Sequence, residues 1–68
     1  MNDADREIFI ARVRGLMDDE GLLPEIRQTK SLLIHYAHKE DWDKVAVLAE
    51  ELKILREERI HRLEAKTK

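Results

Sequence analysis

Apolar residues recur along this chain at steps of three and four, and the pattern breaks twice. Phe9, Ile10, Val13, Leu16 and Met17 draw one face at helical spacing. Asn2 or Asp3 can cap that segment, and Asp5 and Glu7 suit its first turn. A helix over residues 3–19 is predicted. Ile8-Phe9-Ile10 alone reads equally as a strand, but the continuation favours helix. Asp18-Asp19-Glu20 then set three acids at the negative end of the helix dipole, a local conflict. Arg27 or Lys30 on the next helix would relieve it, in preference to an outside basic partner. Gly21 reads as the stop after this helix. Pro24 reads as the first position of the next, where its missing N–H costs nothing.

The second predicted helix covers residues 24–39. Ile26, Thr29, Lys30, Leu33, Tyr36 and Ala37 lie in one broad stripe, with Leu32 and Ile34 about 100° to either side of Leu33. A face that wide calls for more than one neighbour. Lys39-Glu40-Asp41 is a short link, and short links make antiparallel neighbours. Asp41 can cap a third helix over residues 42–65, opened by Trp42. There Val45, Leu48, Leu52 and Leu55 repeat in 3-4-3 steps, a coiled-coil-like seam. Arg59 and Arg62 fall where the repeat expects apolar residues. Val47 and Ile54 form a second stripe about 120° away.

The fold class that follows is all-α: an antiparallel helical hairpin with a shorter N-terminal helix, in one domain spanning residues 1–68. A chain of 68 residues has little core of its own. With no cysteine it has no disulfide, which fits a reducing cytoplasm. The apolar surplus at Phe9, Val13, Ile34, Val47 and Ile54 therefore points to a homodimeric helical bundle, with a monomeric three-helix bundle as the alternative. Whether the first helix packs on its own hairpin or swaps onto the other protomer stays open. No apolar run approaches a membrane span.

The net charge of −2 makes the whole chain no magnet for nucleic acid. The charge is uneven, however. Residues 1–25 carry seven acids and three bases, and residues 53–68 six bases and three acids. Lys53, Arg56, Arg59, Arg62, Lys66 and Lys68 would serve a nucleic-acid-binding regulator, but Glu57, Glu58 and Glu64 interleave with them and no aromatic does. His35 and His38 alone are a weak metal signal, because a metal site needs a third ligand. The chain offers no phosphate loop and no nucleophile elbow, so it is read as non-enzymatic, with no catalytic residue, metal or cofactor.

Protein binding remains. Tyr36 lies a turn before the hairpin corner and Trp42 opens the next helix, so the two are expected close together. Tyr and Trp are frequent interface anchors. The expected partner-binding set is Tyr36 and Trp42, with Leu32, His38 and Glu40 around them. The stretch from Leu32 to Val45, followed by Leu48, Leu52 and Arg56, resembles the FliT-like flagellar export chaperones over about residues 29–56. In that family a leucine pair and an alanine end in a charged link, and Trp-Asp opens the next helix. The resemblance implies a hairpin that binds a helical or hydrophobic segment of a partner and escorts or blocks it. Small acidic helical dimers are also typical of phage- or plasmid-encoded inhibitors. The expectation is thus an inhibitor or sequestering protein acting on a transcription regulator or a secretion or motility component.

Overall fold

A computed structural model describes residues 2–16 and 18–67, and the side chains of Leu16 and Thr67 are not among what it describes. The described residues form three helices: α1 Asp3–Leu16, α2 Asp19–His38 and α3 Trp42–Thr67. The all-α hairpin with a shorter first helix is therefore what the sequence pattern led us to expect. α2 and α3 run antiparallel and make most of the tertiary contact, while α1 lies against α3. Met17, counted above in the apolar face of the first helix, lies outside the described residues, as does Lys68.

Helix boundaries follow from local hydrogen bonds. Asn2 caps α1 by accepting the Asp5 N–H at 2.8 Å. The junction to α2 differs from the sequence expectation. α1 ends at Leu16, and α2 starts at Asp19, a full turn before Pro24. Asp18 is the N-cap, in extended backbone, and its carboxylate accepts the Gly21 N–H at 2.6 Å. Asp19 and Glu20 thereby sit at the positive end of the α2 dipole, so the conflict expected for the three acids does not arise. Gly21 is no stop but part of the first turn. Pro24 lies inside the helix and cannot donate to the Glu20 carbonyl, yet it is exposed, so water can serve that carbonyl. What draws the helix start forward is Leu22, which is fully buried.

The link between α2 and α3 is a tight C-terminal turn. The Glu40 N–H donates to the Ala37 carbonyl, and the Asp41 N–H to the Tyr36 carbonyl, both at 3.0 Å. This motif needs a left-handed residue, and Glu40 supplies it at φ 58°. Asp41 accepts the Lys44 N–H at 3.4 Å, a long cap.

One small core joins the three helices. Val13 of α1, Leu22 of α2 and Leu55 of α3 are buried against one another, with Phe9 and Ile26 packed on them. Thr29 is the buried polar residue on the α2 seam. Leu22, Ile26, Thr29, Leu33 and Tyr36 repeat at 4-3-4-3 and face the α3 seam of Val45, Leu48, Leu52 and Leu55. The body is elongated, 42 × 24 × 17 Å. Its radius of gyration of 12.8 Å exceeds the ~11 Å of a compact chain this size.

Arg62 explains its own place in the seam. Its guanidinium reaches Glu58 on α3, Asp19 on α2 and the Val13 carbonyl on α1, each at 3.1 Å. That carbonyl belongs to the last turn of α1, which has no helical partner of its own. Arg62 therefore ties all three helices at one point. Lys66 also pairs with Asp19. The acids at the junction are served by α3, not by Arg27 or Lys30 as the sequence suggested. Arg14 reaches Glu58 at 3.6 Å and Arg6 pairs with Glu50, which fasten α1 along α3.

Candidate functional site

The structure divides the expected site residues between two faces of the hairpin. At about 100° per residue, Leu32 and Tyr36 fall on one flank of the α2 seam, and Ile34 and His38 on the other. On α3, Lys44 and Val47 share the flank nearer α1, while Trp42 lies on the opposite flank. Tyr36 and Trp42 thus look out from different sides, although both sit at the hairpin corner. Tyr36 meets His35 edge-on at 5.2 Å and carries the Lys44 ammonium 4.7 Å above its ring.

On the α1 side, Leu32, Tyr36, Asp43, Lys44, Val47 and Leu48 line a groove of about 440 Å³. Val47 also lines the adjoining depression with Ile8, Phe9, Arg12, Asp5 and Glu51. The two run together into one apolar strip across three helices. Ile8, 67% exposed, was not singled out in the sequence because Phe9 and Ile10 beside it carry the inward pattern.

Three of the residues expected at a dimer or apolar interface pack within the single chain. Val13 is in the core, and Phe9 packs on it. Ile54 is partly buried beside Ile10 in the crevice between α1 and α3. The second α3 stripe at Val47 and Ile54 exists largely because α1 lies over it.

The face opposite α1 is bare. There Trp42 is 62% exposed and Ile34 48%. Ile60, five turns beyond Trp42 and so on the same flank, is exposed as well. Between Trp42 and Ile60 that flank holds Ala46, Ala49 and Arg56, while Lys53 at its edge turns to the crevice it lines with Arg6 and Ile10 of α1. The matching flank of α2 adds Arg27 and Lys30. Arg27, Lys30 and Arg56 are exposed, and none of the three has an ion-pair partner among the described residues. Arg62 and Lys66, by contrast, are engaged with Asp19 and Glu58. The basic stripe expected along the last helix is therefore shortened to its middle.

Several carboxyls feel this arrangement. Hydrogen bonds from Lys66 and then Arg62 hold Asp19 below the usual carboxylate range. Arg6 does the same for Glu50. Burial, helped by Glu25, pushes Glu51 up, with Arg12 opposing. Glu58 and then Asp19 raise Arg62 further. No three His, Cys, Asp or Glu among the described residues converge as a metal-ligand set. No helix there is long and apolar enough to cross a membrane. No known family, curated protein or solved structure matches the chain.

Proposed function

We propose that this chain is a non-enzymatic protein-binding module that inhibits or sequesters a partner by covering one of the partner's surfaces. The contact is made on the α2–α3 face opposite α1, and the segment it takes is an acidic amphipathic helix. The observation that carries the reading is Trp42, left 62% exposed at the hairpin corner. Covering that much indole is worth roughly 3–4 kcal/mol by apolar area alone. Ile34 and His38 stand a turn apart on the same side of α2 and flank it. Arg27, Lys30 and Arg56 then set the charge of the partner, because a helix laid in this trough meets three cations that no described acid pairs. Glu40 borders the contact at the turn. Leu32 and Tyr36 belong to the other face and leave this one unchanged.

The partner we have in mind is a transcription regulator or a secretion or motility component. A FliT-like export chaperone is the narrower form of the same reading, in which the bound segment is escorted and not blocked. The lack of cysteine supports action in the reducing cytoplasm.

The test is affinity capture from a cell lysate with wild type, the Ile34→Ala/Trp42→Ala double variant and Tyr36→Ala, read by mass spectrometry. A protein held by wild type and Tyr36→Ala, and lost by the double variant with helicity intact, supports the reading. Nucleic acid as the retained species, with affinity falling steeply as salt rises, would instead assign the cations to phosphate contacts.

A further inference from the structure

We propose that a second copy of this chain covers the apolar strip on the α1 side, related by a two-fold axis that passes beside Val47. This stands apart from the partner reading, since it uses the opposite face.

The first observation is area. The chain exposes 5313 Å², against about 4,500 Å² for a compact monomer of 8.1 kDa. The excess, about 800 Å², is one side of a standard protein interface. With three fully buried apolar side chains among its described residues, the chain has reason to cover it.

The second observation is the layout of the strip. An isologous interface needs one patch that is complementary to itself after a half-turn. Val47 belongs to both the Ile8–Phe9 depression and the Leu32–Tyr36 groove, so it is the natural pivot. A half-turn about Val47 exchanges the two ends. The protruding Ile8 of one copy then enters the groove between Leu32, Tyr36 and Leu48 of the other. Both ends fill at once, and neither is left over.

Sedimentation equilibrium over a wide concentration range tests this, with circular dichroism to confirm that each variant is folded. The wild type should approach twice 8.1 kDa. Val47→Asp brings two carboxylates together at the axis and should raise the dissociation constant about 100-fold or more. Val47 is 37% exposed in the single chain, so the fold should survive. Ile8→Asp, at the protruding end of the strip, should weaken the dimer as well, and Ile8 is 67% exposed in the single chain, so the fold should again survive. A wild type that stays monomeric into the millimolar range overturns the proposal. So does a dimer that persists unchanged in Val47→Asp or in Ile8→Asp. Partner capture through Trp42 would be unaffected by any of these results.

Discussion

Truncating Leu55 to alanine should cost this protein about 3–4 kcal/mol of folding free energy, within the ~2–5 kcal/mol typical of a fully buried leucine. Leu55 is completely buried, where Val13 from α1 and Leu22 from α2 meet α3. The neighbours are held from outside by Arg62 and by the Arg6–Glu50 pair, so they cannot collapse freely into the space. A domain of this length has about 3–10 kcal/mol in all. One side chain therefore decides whether the fold persists at ambient temperature. Urea denaturation followed by far-UV circular dichroism, at one fixed protein concentration, measures the change directly. Ile34→Ala is the control: it lies on the bare face and should stay within about 0.5 kcal/mol. Val13→Ala and Leu55→Ala combined should cost less than the sum of the two, because they open the same cavity. A loss below about 1 kcal/mol for Leu55→Ala would refute the three-helix junction as the source of stability.

Two further outcomes follow from the turn and the ion pairs. Glu40→Gly should stabilise the protein by about 0.5–1 kcal/mol, since relief of a left-handed non-glycine residue outweighs the added chain entropy, and the urea midpoint will show it. Asp19 and Glu50 are held below their usual range, so the stability they contribute is present at neutral pH and is lost as pH falls through their folded values. Glu51 is pushed up and acts in the opposite sense: its contribution is present below its usual value and is lost as pH rises through the raised one. Glu51→Gln should therefore stabilise at neutral pH and do little in mild acid, and Asp19→Asn should destabilise at neutral pH alone. Denaturation at several pH values separates the two signs.

How far the sequence carried the fold is clearest at the two breaks. Lys39-Glu40-Asp41 could be read as a corner because an apolar period stops and a capped one begins, and the turn lies there. The break around Gly21 and Pro24 misled, because both residues usually mark helix ends. The overlooked signal was the 4-3-4-3 repeat, which already starts at Leu22 and asks for a helix before Pro24. Asp18 as cap fits that reading too. Arg62 was legible as an exception in the seam but not as a clamp, since its partners are 43 and 49 residues away. The structure spreads the expected site residues over two faces and does not bring Tyr36 and Trp42 together on one. Periodicity gives each residue's angle on its own helix. Which flank α1 covers is a tertiary fact, and that fact separates Tyr36 from Trp42, takes Val13 into the core and half-covers Ile54.

The central claim is that the face around Trp42 grips a protein. Photocrosslinking from an aromatic crosslinker placed at position 42, inside the source cell, tests it most directly. The expected result is a discrete protein adduct whose contacting segment is acidic and helical, and which fades when Lys30 and Arg56 are changed to glutamate. Adducts to nucleic acid, or crosslinks to a second copy of this chain alone, would contradict it.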